Sequence, residues 1–148
     1  MAIKSSVYKG YRIIGAQRQI IYAKSLWEAN YAKYLQWLQD QNKISFWMYE
    51  PKIFYFEGIK RGCTNYKPDF LISELGGYQY YVEVKGYMDA KSATKIKRFR
   101  KYFPEDEIRI VDAKWFKENA PILKNVVPFW ESEKKTYIVP KEQIIGLI

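Results

Sequence analysis

Residues 69–86, DFLISELGGYQYYVEVKG, constrain the fold more tightly than any other stretch of the chain. Two β-rich runs flank a Gly-Gly pair, the pattern of a hairpin closed by a tight turn. Side chains alternate between the two faces of a strand, so Phe70 and Ile72 share one face and Asp69 and Leu71 the other. On the returning run Tyr80, Val82 and Val84 form an apolar row, with Tyr81, Glu83 and Lys85 opposite. The apolar rows are expected to meet the core. A turn centred on Gly76 pairs residues equidistant from it, and Asp69 then faces Glu83.

Direct cross-strand partners hold their Cβ atoms roughly 4.5–5.5 Å apart, so two carboxylates there repel unless a cation lies between them. Mg2+ suits that place, because it is a hard, oxygen-seeking ion that takes one or two carboxylates and keeps waters that a phosphate oxygen can replace. Lys85, on the same face as Glu83, brings a fixed positive charge to a metal-bound water or an attacked phosphate. The competing interpretation of the same residues is a solvated strand face with a surface salt bridge.

Around this hairpin the pattern predicts further elements. A first hairpin is expected over about 7–22, turning at Gly15. In SLWEANYAKYLQWLQDQN the apolar positions Trp27, Tyr31, Tyr34, Leu35 and Leu38 fall on one stripe of a 3.6-residue period, which predicts a helix packed inward. KISFWMYEPKIFYFEGI predicts one or two strands interrupted at Pro51, and KRGCTNYK a polar loop. DAKSATKIKRFRKYF predicts a basic helix with Ile96, Phe99 and Phe103 inward, stopped by Pro104, and EIRIVD a last strand. Residues 113–148 form a C-terminal extension, expected as short helical pieces broken at Pro121 and Pro128 and an extended TYIVP. The order ββαββββαβ predicts a single-domain α/β sandwich, a central mixed β-sheet with a helix on either side.

Composition narrows the chemistry. One cysteine and no histidine remove disulfide frameworks, thiolate-imidazole zinc sites and histidine-based triads, leaving carboxylates, lysines and hydroxyls. Lys and Arg number 25 against 16 Asp and Glu, and the net charge of +9 favours a polyanionic partner. No apolar run reaches the roughly 20 residues of a membrane span, and the opening residues carry no secretory signal pattern, so a reducing cytoplasm is expected.

The sequence resembles the PD-(D/E)xK nuclease superfamily, whose Asp, Glu and Lys match Pro68-Asp69 and Glu83-Val84-Lys85. The surrounding YKPDFLI and YYVEVKGY, the upstream SLWEANYAKYL and the following KIKRFRKYFP are similar to phage-borne endonuclease I type Holliday junction resolvases and transposon end-cleaving nucleases, over about residues 20–112. The resemblance implies a restriction-endonuclease-like sandwich with a catalytic core over about 23–112. It also implies a DNA endonuclease dependent on Mg2+ or Mn2+, working in a bacterial or phage-infected cell. Asp69, Glu83 and the backbone carbonyl of Val84 would be metal ligands, Lys85 the catalytic cation, and branched DNA the substrate of a homodimer.

Two further acids follow from it. Glu28 matches a first-helix glutamate that joins the metal in related nucleases, yet Ser25-x-x-Glu28 is also the spacing of a capping box, and both roles stay open. Glu50 matches a strand acid near the site in some relatives, or is simply exposed. Lys91, Lys95 and Arg98 lie on one face of the basic helix, with Lys97 and Lys101 beside it, and Lys60, Arg61 and Lys67 precede Asp69. Together they are expected to contact DNA phosphates. Nicking or restriction-like cleavage of linear duplex, and a non-catalytic basic nucleic-acid-binding module, are the alternative functions.

Overall fold

The computed structural model describes residues 8–147; residue 7, the expected start of the first hairpin, lies outside them. Strands β1 (Gly10–Ile14) and β2 (Gln19–Ala23) form that hairpin. Gly15 takes φ +77 in its turn, a conformation that costs glycine little. Helix α1 (Leu26–Asp40) follows at once, capped by Ser25, whose hydroxyl accepts the N–H of Glu28. Its predicted stripe holds: Tyr31 and Leu35 are buried, and Trp27, Tyr34 and Leu38 pack against the same cluster.

Strand β3 (Phe46–Tyr49), the two-residue strands β4 (Phe54–Tyr55) and β5 (Asn65–Tyr66), then β6 (Phe70–Ser73) and β7 (Gln79–Val84) come next. After helix α2 (Ala90–Tyr102) the chain returns as β8 (Ile108–Val111), followed by α3 (Ala113–Val126) and the short α4 (Lys141–Ile145). The central mixed sheet has the order β3-β6-β7-β8, antiparallel except for the parallel β7–β8 pair. A parallel pair needs a crossover, and α2 supplies it. The β6–β7 register pairs Phe70 with Val82 and Ile72 with Tyr80, as a turn centred on Gly76 requires.

Helices flank both faces of this sheet. Phe70, Ile72, Val82 and Val84 pack with residues of α1 and with Phe116 of α3. Leu71, Tyr81 and Ile108 belong to a second core with Ile96 and Phe99 of α2 and with Phe54, Phe56 and Tyr66. The ring of Phe99, fully buried, meets Phe54 edge-on at 4.8 Å. β6 is therefore buried on both faces, which accounts for its uninterrupted apolar run.

Three expectations change. The stretch expected as a polar loop contains β5, where Tyr66 pairs with Phe54 and turns its ring into the second core. Pro121 does not break α3, because Asp112 caps the helix and buried Phe116 and Leu123 hold it on either side of the one missing N–H. The stretch expected to be extended, TYIVP, contributes one bridge, Val139 to Tyr11, before α4. No helix among the described residues is long and apolar enough to cross a membrane.

Two contacts fasten the outer parts. The Gln19 carboxamide accepts the N–H of Tyr49 at 3.1 Å and donates to the carbonyl of Trp47 at 3.4 Å, tying the first hairpin to the outer edge of β3. Glu131, 2% exposed, receives Arg12 at 2.8 and 2.9 Å and Lys33 at 2.7 Å, so β1, α1 and the chain beyond α3 meet at one buried carboxylate.

Candidate active site

The predicted acids meet where β6 begins, β7 ends and α1 starts. Asp69, 4% exposed, lies one step before β6, and its Oδ2 accepts the N–H of Val84 at 2.8 Å. The register of the hairpin continues to place it across from Glu83. Glu83 accepts the hydroxyl of Tyr66 through Oε2 at 2.6 Å. Glu28, 3% exposed in the first turn of α1, accepts the hydroxyl of Tyr49 through Oε1 at 2.8 Å.

Glu28 divides its atoms between two partners. Its backbone N–H donates to Ser25, while its carboxylate turns to Tyr49 instead of closing a capping box. Glu50 also belongs here. It forms ion pairs with Lys67 and, at 3.7 Å, with Lys24, and its N–H donates to the Asp69 carbonyl at 2.7 Å. It does so with φ +43 immediately before Pro51, a backbone state that costs of order 1–3 kcal/mol.

Val84 adds a carbonyl. The N–H groups of Tyr81 and Lys85 donate to the β8 side, at Glu107 and Val111, so even-numbered residues of β7 direct their backbone groups to β6. The residue opposite Val84 in that register is Pro68, which has no N–H to give. Pro68 thus leaves the Val84 carbonyl without a ladder donor, and the Asp69 carboxylate takes the N–H that the ladder would have used.

The electrostatics are those of crowded, buried acids. Burial, with Glu83 and Glu28 adding to it, holds the Asp69 carboxyl well above the usual range despite the Val84 N–H and Lys24. Burial likewise raises Glu83, against the pull of Tyr66, Lys85, Lys24 and Lys95, and raises Glu28 against Tyr49 and Lys24. Glu50 goes the other way: burial would raise it, but Lys67, Tyr49 and Lys24 outweigh that and lower it. Burial, and the carboxylates beside them, push the phenols of Tyr66 and Tyr49 upward, so both stay protonated donors.

Glu28, Glu83 and Asp69 each use one oxygen in a protein hydrogen bond among the described residues, and the other oxygen of each, like the Val84 carbonyl, is a hard donor. Oxygen donors of this kind are the type that Mg2+ or Mn2+ takes, ions that accept few protein ligands and retain waters. No three acidic or cysteine side chains among the described residues stand together as a preformed metal cage.

Lys85 directly follows β7, half-buried, with its N–H on Val111 and its charge lowering the Glu83 carboxyl. A Cβ on Gly86 would stand 2.7 Å from the ring of Trp27, so the chain leaves β7 flush against a ring stacked on Phe116. The charge of Lys95, on α2, also lowers the Glu83 carboxyl. Lys91, Lys97 and Lys101 are exposed on α2, and Lys60 and Arg61 on the preceding loop. Two expected phosphate contacts are engaged elsewhere. Arg98 donates to the carbonyls of Cys63 at 2.6 Å and Arg61 at 3.4 Å, fastening that loop, and Lys67 is paired with Glu50.

Nothing in the sequence marks Lys24. It precedes the Ser25 cap, and its charge bears on Asp69, Glu28, Glu50 and Glu83 alike. Apart from Glu28, four residues on, these partners come from distant segments. No protein-family model matches the chain, and no curated protein matches it.

Proposed function

We propose that the chain is a metal-dependent DNA endonuclease of the PD-(D/E)xK type, built on a restriction-endonuclease-like core. The observation that carries this reading is the facing pair Asp69 and Glu83 beside a Val84 carbonyl to which Pro68 offers no ladder N–H, with Lys85 the next residue. A strand face with only a structural duty gains nothing from a buried Asp69 whose cost of ionisation the neighbouring Glu83 raises.

In this reading Asp69, Glu83 and the Val84 carbonyl hold the divalent cation, and Glu28 completes the set. When bound, that cation neutralises phosphate charge and supplies an acidified water. Tyr66 and Tyr49 orient Glu83 and Glu28 through their hydroxyls, fixing which oxygen stays free. Lys85 offers a positive charge to the phosphate as negative charge builds on it. Lys91, Lys95, Lys97 and Lys101 lie along the neighbouring backbone phosphates. Branched DNA and a dimer with one site per cut strand come from the resemblance to junction-resolving nucleases.

The test is incubation of linear, supercoiled and four-way-junction DNA with Mg2+ or with chelator, for the wild type, Glu83→Ala and Lys85→Ala. Metal-dependent products that vanish in both variants while binding persists are expected. Equal cutting of all three substrates removes the preference for branches, and salt-sensitive binding with no product anywhere removes the nuclease.

A further inference from the structure

Lys24 occupies a place in the acid cluster that the proposed chemistry does not use. Its backbone is fixed on both sides, by Ala23, fully buried and paired with Gly10, and by the Ser25 cap of α1. Its side chain is 55% exposed, and its ammonium lies 3.7 Å from Glu50, longer than a firm hydrogen bond. Glu50 is meanwhile held by Lys67 and keeps a partner if Lys24 departs. Glu28 stands four residues on from Lys24, and Glu50 is joined to Asp69 through its backbone N–H. A cation so placed lies 3.7 Å from Glu50, feels the charges of Asp69, Glu28 and Glu83 as well, and is open to solvent.

We infer that Lys24 is the resident counter-ion of the metal-free site, holding its carboxylates together until a divalent cation arrives and then swinging out to solvent. This rests on the metal-site reading above. Two positive charges cannot share a cluster of this size cheaply, so the entering cation and the ammonium compete for the same negative field. The exposed stem lets Lys24 leave without baring apolar surface, and it regains rotamer freedom as it does. Lys24 is thus a positioning residue that sets metal affinity and does not itself touch substrate.

The experiment uses the full chain without DNA, with Mn2+ as the probe. Calorimetric titration and melting are run on the wild type, Lys24→Met and Lys24→Arg. With one repelling charge removed, Lys24→Met is expected to bind Mn2+ roughly three- to tenfold more tightly, to melt lower without metal, and to gain more from metal. Lys24→Arg should stay close to the wild type. In the wild type itself, amine labelling of Lys24, read by peptide mass spectrometry, should rise when Mn2+ is added. Unchanged or weaker Mn2+ binding by Lys24→Met, or labelling that metal leaves unaltered, overturns the inference while leaving the metal site standing. Failure of the wild type to bind Mn2+ overturns both.

Discussion

The carboxylate of Asp69 accepts the backbone N–H of Val84 at 2.8 Å, one residue on from Pro68. Asp69 is therefore both a strand partner and a buried charge. Asp69→Asn separates the two, because its amide oxygen still accepts from Val84 while the charge is gone. Asp69 has a raised carboxyl, so above the ordinary carboxylate range the folded protein keeps a proton that the unfolded chain releases. Stability is then lost as pH rises from that range through the raised value. Without metal, Asp69→Asn should exceed the wild type at pH 8 by about 0.5–2 kcal/mol and match it near pH 4, in paired urea titrations. Cleavage should be absent at both.

Tyr66 holds one oxygen of Glu83 at 2.6 Å, and Tyr49 holds one of Glu28 at 2.8 Å. Both hydroxyls stabilise the ionised carboxylate. Tyr66→Phe removes that support with little change of shape, so the Glu83 carboxyl should rise further and require higher pH to ionise. The acid limb of the pH-rate profile should move upward, and metal affinity should fall about 10- to 100-fold. An unmoved acid limb would show that Glu83 ionisation does not limit the reaction.

Glu131 tests the other buried charge cluster. Burial would raise its carboxyl, but Arg12 and Lys33 outweigh this and lower it. The contribution of Glu131 is therefore present above the ordinary carboxylate range and is lost as pH falls through its depressed value. Glu131→Gln leaves two buried cations facing a neutral amide and should cost about 3–5 kcal/mol at pH 7 by urea denaturation. Replacing Arg12, Lys33 and Glu131 together by apolar residues should cost less than that single change.

The contrast between these clusters shows what the sequence could disclose. The Asp69–Glu83 pairing is legible because alternation and the Gly76 turn fix a register without reference to the rest of the chain. The stripe of α1 is legible for the same local reason. Lys24, Tyr49 and Tyr66 are not, since each acts on an acid from another element and its type alone names no partner. Arg98 looks free in the sequence because its acceptors are backbone carbonyls of a loop 35 and 37 residues away, which no side-chain pattern reveals. Pro121 looks like a helix breaker, but a cap and buried neighbours outweigh its local preference.

That same distinction separates the basic residues of α2 by experiment. Lys91, Lys97 and Lys101 are exposed, and none forms an ion pair among the described residues, so their charges remain available to phosphates. Removing one lysine from a phosphate should reduce the slope of log affinity against log salt by about 0.9 on duplex DNA. A variant with all three changed to Ala should therefore bind more weakly and with a flatter salt dependence, while melting as the wild type does. Arg98→Ala should behave differently, because it frees the carbonyls of Arg61 and Cys63 and loosens the loop packed on α2. It should lower the melting temperature by several degrees, corresponding to about 1–2 kcal/mol, and leave the salt slope nearly unchanged. Fluorescence-anisotropy titrations over a range of salt, set beside thermal melts, read both effects. A salt slope that falls with Arg98→Ala and not with the lysine variant would put the DNA on the loop side of α2.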